Sequence, residues 1–245
     1  MEIIAIIAQK GGVGKTTTTH AIGAGLALRG SKVLLVDLDP QGSLTSIVGA
    51  NSGGYTTLDL LLRRATADQA IQRASQLDII PASEGLAADG ILTQTGKEYR
   101  LREAIKPIKE RYDYILIDCP PSLGVLTINA LTAASSCIVP AQADTLSLQA
   151  LKQLAPTIDV VRQYTNSSLV IKGIIITRYN GRAILSREAA EMIEAQAQQM
   201  GTKVFAAKIR ECISIKEAQA MRQDIFSYAS RSNAAQDYNR LIAEV

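Results

Sequence analysis

The chain has 245 residues, 47% hydrophobic and 20% charged, which fits a globular protein with a core of its own and excludes wholesale disorder. Aromatic residues make up only 4% with no Trp, so a broad base-stacking surface for single-stranded nucleic acid is not expected. Three scattered cysteines without a CxxC pair, and one histidine, argue against a disulfide framework, a zinc ribbon or an Fe–S cage and suit a reducing cytoplasm.

The apolar, Ile-rich run Glu2–Ala8 reads as a buried strand. It is too short, and lacks the basic flank, for a signal peptide, and no DNA-reading module is expected ahead of it. A Gly-rich loop, Gln9–Lys15, leads to a helix over Thr16–Arg29 with Gly30 as its stop. Lys32–Asp37 reads as a second strand. Thr57–Arg64 and Ala67–Ala74 read as short helices, Leu77–Pro81 as a strand and Glu98–Glu110 as a basic amphipathic helix. Strands follow at Tyr114–Asp118 and Ile138–Pro140, then a helix from about Leu146 to Tyr164. A strand at Leu169–Thr177, a helix at Ser186–Met200, a short strand at Lys203–Ala206 and a closing helix at Ala235–Val245 complete the pattern. No apolar run approaches the ~18 residues that a membrane span needs. Strands alternating with helices predict one α/β domain over 1–245, a mostly parallel sheet with helices on both faces. Function then belongs at the carboxyl ends of the strands, where Gln9–Thr16, Asp37–Gln41, Asp118–Ser122, Pro140–Asp144 and Thr177–Arg182 cluster.

Lys10-Gly11-Gly12-Val13-Gly14-Lys15-Thr16-Thr17 sits between a strand and a helix, the context of a P-loop. Glycines let successive backbone N–H groups turn toward phosphate oxygens, and the helix N-terminus adds donors and partial positive charge. Lys15 is placed to reach the β- and γ-phosphates of ATP, and the Thr16 hydroxyl to sit on Mg²⁺. The loop departs from GxxxxGK[ST]: Gln9 stands at the first Gly position, and Lys10 adds a second lysine. Bound phosphates satisfy one lysine; the other either stands in solvent or answers a phosphate presented by a second subunit, as in a nucleotide-sandwich dimer.

Two strands end in aspartate at the functional edge, Val33–Asp37 and Ile115–Asp118. Hydrolysis of a γ-phosphate needs a cation and a placed water. Asp118 fits the Walker B role, holding Mg²⁺ directly or through water. Asp37 and Asp39 alternate along the chain, so one of them faces the phosphate if the strand persists. Asp39 is the candidate to position the water, and Asp37 to order the loop or the Mg²⁺ shell.

KGGVGKTT, VLLVDLDPQG and YILIDCPPS together resemble the ParA/MinD group of deviant Walker-A ATPases. The likeness continues through Ile138–Leu151, Gly173–Arg182, Glu217-Ala218 and Tyr228–Tyr238. Within the group the chain is most similar to small ParA-type partition ATPases. The resemblance implies a Mg²⁺-dependent ATPase, slow without partner and DNA. Lys10 matches the signature lysine that reaches across an ATP-bound homodimer. Lys15, Thr16, Asp39 and Asp118 match the phosphate, Mg²⁺, hydrolytic and Walker B positions, and Asn180 a position that often contacts adenine. It further implies non-specific binding of double-stranded DNA in the cytoplasm, on the nucleoid, with a ParB-type partner that stimulates hydrolysis and release, so that plasmid or chromosome cargo is positioned.

Net charge is +3, but residues 151–245 carry 13 basic against 9 acidic side chains while residues 1–150 carry 13 against 14. A DNA-reading face therefore belongs to the second half. Arg210, Lys216 and Arg231 are its candidates, with Lys203, Lys208 and Arg222 nearby. Arg210 and Ser214 depart from the proline and arginine that many relatives place there. Three rivals remain. A MinD-like ATPase acting on a membrane or protein assembly needs a basic amphipathic tail, which the closing helix lacks. An Fe–S-assembly ATPase needs paired cysteines. A metabolic P-loop ligase would bind a small substrate in the second half.

Overall fold

The computed structural model describes residues 1–88 and 95–245. Strands β1 (Glu2–Ile6), β2 (Val33–Asp37), β3 (Gln72–Ala74), β4 (Leu77–Ile80), β5 (Tyr114–Asp118), β6 (Ser136–Gln142), β7 (Val170–Tyr179) and β8 (Val204–Arg210) form one sheet in the order β3-β4-β2-β5-β1-β6-β7-β8. All neighbours pair in parallel except β3 with β4. The helices are α1 (Lys15–Leu28), α2 (Ser43–Ile47), α3 (Thr57–Leu61), α4 (Ala67–Ala70), α5 (Arg100–Ile105), α6 (Val125–Ala133), α7 (Thr145–Tyr164), α8 (Ile184–Gln199), α9 (Ile213–Ala220), α10 (Ile225–Tyr228) and α11 (Asn233–Glu244).

The sheet separates two cores, as strand alternation requires. Ile3, Ala5, Leu34 and Val36 face one with α3, α5, α6, α7 and α8; Ile4, Ile6, Leu35 and Leu116 face the other with α1, α9 and α11. Two glycines let α1 lie close between its neighbours. A Cβ at Gly23 would stand 2.7 Å from Leu35 Cδ2, and one at Gly25 would stand 2.3 Å from Ile242 Cδ1. The closing helix α11 buries Tyr238, Leu241 and Ile242 in that same core, so its apolar face is already used. Among the described residues, no helix is long and apolar enough to cross a membrane.

The predicted strands are all present, with β6 and β8 longer than the sequence suggested. Pro140 lies inside β6 at no cost to the ladder. Ile7 N donates to Ile138 O at 3.1 Å, and two residues on, β1 has already turned away into its loop. Three helical readings change. Ala67–Ala74 is helical only to Ala70; Gln72–Ala74 then pairs antiparallel with Leu77–Ile79 through a two-residue turn. Glu98–Glu110 contains α5 flanked by 3₁₀ turns: Lys106 keeps helical backbone, but Pro107 has no N–H to donate back to the Glu103 carbonyl, so α5 stops there. Helix α6 was not predicted: seven of its nine residues are buried, so no amphipathic period marks it.

Candidate nucleotide site

Register brings the site together before any side chain is considered. Ile6, at the end of β1, is level with Asp118 of β5, and Asp118 is level with Asp37 of β2. The Gly-rich loop therefore rises beside two aspartates at adjacent strand ends. Gly12 (φ +74) and Gly14 (φ +86) take left-handed backbone that lets the loop curl over the N-terminus of α1. Lys15 Nζ lies 3.5 Å from the Lys10 carbonyl oxygen, folded over that loop. Burial lowers the Lys15 pKa, while Asp118 and Asp39 hold it up.

Asp118 is fully buried. One carboxylate oxygen accepts from the Thr16 hydroxyl at 2.7 Å; the other lies 3.0 Å from the Thr19 hydroxyl, which is also 3.0 Å from Lys15 O. Burial, then the charge of Asp37, push its pKa up to about 8. Asp37 accepts from Thr45 N at 2.8 Å, Thr45 Oγ1 at 2.7 Å and Asp39 N at 3.1 Å, and burial raises its pKa to about 6. Asp37 thus orders the loop after β2. Asp39, one turn further, accepts only from Gln41 N at 3.0 Å among the described residues.

These residues fit Mg²⁺ with a nucleotide. The buried carboxylates lack a cationic partner equal to their number, which a divalent ion supplies. No cluster of three or more His, Cys, Asp or Glu among the described residues could hold a metal by itself. That agrees with an ion held through a threonine hydroxyl, phosphate oxygens and water.

Lys10 behaves differently from Lys15. Its amine donates to Asp144 Oδ2 at 2.5 Å and to Gln142 Oε1 at 3.2 Å, across the rim and away from its own loop's N–H groups. Asp144 also caps α7, accepting from Ser147 N at 2.7 Å, and Lys10 and that cap hold its carboxyl below the usual carboxylate range despite partial burial.

Sequence reasoning missed four supporting residues. The Thr177 hydroxyl donates to Val13 O at 2.7 Å and pins the loop to β7. Gln142 Nε2 donates to Gly12 O at 3.2 Å, and Gln219 Nε2 of α9 donates to Thr17 Oγ1 at 3.0 Å. Thr19 completes the shell of Asp118. Thr19 lies within the loop-to-helix run, and Gln142 and Thr177 lie in polar clusters expected at the strand ends, but the sequence assigns them no role; Gln142, Thr177 and Gln219 approach from 130 or more residues away.

Asn180 is exposed after β7, its Oδ1 accepting from Arg182 N at 3.1 Å. The three candidate DNA contacts separate. Lys216 and Arg231 are exposed, without an ion pair among the described residues. Arg210 is not free: its guanidinium forms a fork on the buried Asp237, at 2.9 and 2.8 Å, and its backbone N–H donates to the same carboxylate at 3.1 Å. Arg210 is thus a clamp between β8 and α11, its charge neutralised by an aspartate 27 residues away. Lys208 likewise pairs with Glu194 at 3.7 Å, and Lys203 lies over the Phe205 ring.

Comparison with known proteins decides the family. The AAA domain family matches residues 1–171. The chromosome partitioning protein ParA of Caulobacter vibrioides is 40% identical over 253 residues, covering all of this chain and 94% of that protein. The chain belongs to the ParA/Soj family of partition ATPases. The sporulation initiation inhibitor protein Soj of Bacillus subtilis is 40% identical over 250 residues, covering all of this ParA/Soj chain and 98% of that protein. Among solved structures, cobyrinic acid a,c-diamide synthase from Mycobacterium smegmatis with bound ADP and magnesium superimposes with a TM-score of 0.85 at 35% identity, covering 99% of this chain and 92% of that one. MinD from Pyrococcus horikoshii complexed with Mg-ADP gives 0.79 at 28% identity, covering 99% and 95%.

Proposed function

We propose that this ParA/Soj-family ATPase is a nucleotide-gated switch: ATP and Mg²⁺ drive homodimerisation, the dimer binds double-stranded DNA without sequence preference, and hydrolysis releases it. The observation that carries the reading is the disposition of the two lysines. Lys15 is folded over its own loop, whereas Lys10 lies on the rim, held by Asp144 and Gln142. An amine so placed is positioned to answer a phosphate from outside the protomer. Exposed apolar side chains surround that rim at successive strand ends: Leu146 after β6, Ile184 and Leu185 after β7, and Ile213 after β8. Their burial against a second copy would supply the apolar part of an interface.

In this reading Lys15 holds the β- and γ-phosphates beside the N–H groups of Gly11 through Thr17. Thr16 and Asp118 would hold Mg²⁺, with Asp37 behind them, and a bound ion would supply electrostatic polarisation of the phosphate oxygens. Asp39, nearly buried and with a single hydrogen-bond donor on it, positions the water. Lys10 of each protomer completes the partner's site, and Asn180 lies beside the adenine. The DNA face uses cations that make no direct ion pair among the described residues: Arg222, Arg231, Arg240 and Lys216, the last facing Glu211 at longer range. Of the acids of α11, Asp237 is offset by Arg210, while Glu244 keeps its charge and is turned onto the N–H groups of Ala206 and Ala207 at 2.9 and 2.8 Å. The protein would act in the cytoplasm on the nucleoid, positioning plasmid or chromosome cargo with a ParB-type partner that stimulates an otherwise slow hydrolysis.

The structural likeness to MinD favours a second reading, the same switch acting on a membrane or protein assembly. The buried apolar face of α11 weighs against a membrane tail. Sedimentation with anionic liposomes in ATP–Mg²⁺, beside a DNA-binding assay, separates the two: DNA binding without liposome binding supports partition, and the reverse supports the MinD-like reading.

A further inference from the structure

Outside the nucleotide site, a cavity of about 300 Å³ opens between α1, the β3–β4 turn and the segment joining α9 to α10. That volume is at the low end for small-molecule sites. His20 of α1 and Arg222 after α9 both line it, with Gln76 and Gln223 as further amide donors. His20 is the chain's only histidine. Its largely enclosed ring makes no hydrogen bond among the described residues; burial lowers its pKa, and the charge of Asp224 acts in the other direction. The Arg222 guanidinium has no ion pair among the described residues.

Arg222 also has a backbone that does not suit it. Its φ is +53, in the left-handed region, where it follows the last turn of α9. Glycine takes that conformation freely at a helix end, and a residue with a Cβ does so under strain. Backbone economy therefore does not account for an arginine here, although Arg63, Ser75 and Arg178 also adopt such backbone. The one acid facing the cavity, Asp224, is already engaged: Phe226 N and Ser227 N donate to one oxygen at 2.9 and 2.8 Å, and Ser227 Oγ to the other at 2.6 Å. The cavity thus holds a forked cation, an imidazole that makes no hydrogen bond among the described residues and faces the Asp224 carboxylate, two amides, and that carboxylate held by N–H and hydroxyl groups of its own loop.

We propose that this cavity is a phosphate-group site, in which Arg222 and His20 grip a phosphate carried either by a small phosphomonoester or by a nucleic-acid backbone. The guanidinium fork matches two phosphate oxygens, and a protonated imidazole donates to a third. Charges facing the site from every bordering element are His20 on α1, and Arg222 and Asp224 on the α9–α10 segment; the β3–β4 turn contributes none. With His20 neutral they sum to zero, and with it protonated to +1, so binding takes up a proton and tightens as pH falls. The site adjoins the nucleotide loop through two elements. His20 lies one turn beyond Thr16 and Thr17 on α1, and α9, which leads into Arg222, reaches Thr17 through Gln219.

The test uses the single histidine as its reporter. The untagged protein, saturated with ADP–Mg²⁺ to fill the nucleotide loop, is titrated with pH by NMR of the imidazole Cε1–H, with and without inorganic phosphate at constant ionic strength; the duplex arm uses a non-hydrolysable ATP analogue with Mg²⁺ in place of ADP, since DNA binding rests on the nucleotide-gated reading above. The variant is Arg222→Gly, which suits the left-handed backbone and keeps the fold. Phosphate or duplex is expected to raise the His20 pKa by about 0.5 unit or more in the wild type, and by much less in Arg222→Gly, with Arg222→Lys between. A response to phosphate assigns a small-anion source; a response to duplex alone assigns the nucleic-acid backbone. No shift with either, or an equal shift in Arg222→Gly, overturns the proposal.

Discussion

Replacing Asp118 with Asn should stabilise the nucleotide-free protein while removing its ability to gain from Mg²⁺–ATP. The carboxylate is fully buried beside Asp37, and its pKa rises from an ordinary 3.8 to about 8. A folded-state pKa above the unfolded one means that the native protein holds a proton that the unfolded chain releases. Stability is therefore lost as pH rises from about 4 toward 8. At about 1.4 kcal/mol per unit, the penalty near pH 7.5 approaches a ceiling of about 5 kcal/mol. Coupling to Asp37 and the weaker hydroxyl bonds to an amide lower the net gain to about 2–3 kcal/mol. Asn keeps the shape, can still accept from Thr16, and does not titrate. At about 2–4 °C per kcal/mol for a chain of this size, Tm should rise by about 5 °C or more at pH 7.5. The gain should shrink toward pH 5. Calorimetry at both pH values, with and without Mg²⁺–ATP, is the assay. With ligand, the order should reverse, since only the wild type gains binding free energy. A nucleotide-free Asp118→Asn protein less stable than wild type at pH 7.5, or a gap that ignores pH, refutes the reasoning.

Other substitutions separate the roles of neighbouring residues. Lys10→Ala should leave nucleotide affinity within about threefold, since Lys15 and the loop amides remain, yet abolish the ATP-dependent dimer in sedimentation velocity. Asp39→Ala should slow ATP turnover by about 10²-fold or more, with nucleotide binding and the dimer retained. Thr177→Val strands the buried Val13 carbonyl and should weaken ATP binding by about tenfold, from a loss of about 1–2 kcal/mol, read by calorimetric titration. Arg210→Ala leaves Asp237 buried and unpaired and should cost about 2–4 kcal/mol of stability, whereas Arg231→Glu should leave Tm nearly unchanged and weaken DNA binding.

The sequence announced those features whose cause is local. The strand–loop–helix around Lys15 and the aspartates ending β2 and β5 could be read directly, because glycine spacing and apolar runs encode them. The parallel sheet followed from alternation of strands and helices. What lay hidden depends on partners distant along the chain. Arg210 looks like a free surface cation until Asp237 is seen beneath it. Thr177 looks like the end of a strand until Val13 O is found 2.7 Å away. Lys10 left two readings open in sequence, and the pairing with Asp144 places it on the rim. Helix α6 was hidden for the opposite reason: burial on nearly all sides erased the period by which helices are recognised.

The most direct test of the nucleotide-gated switch is fluorescence anisotropy of a random-sequence duplex with ATP–Mg²⁺, with ADP–Mg²⁺ and without nucleotide, at several salt concentrations. The account predicts binding with ATP–Mg²⁺ alone, weakening steeply with salt as phosphate contacts release counterions. Binding of equal strength in all three states, or in none, would contradict it.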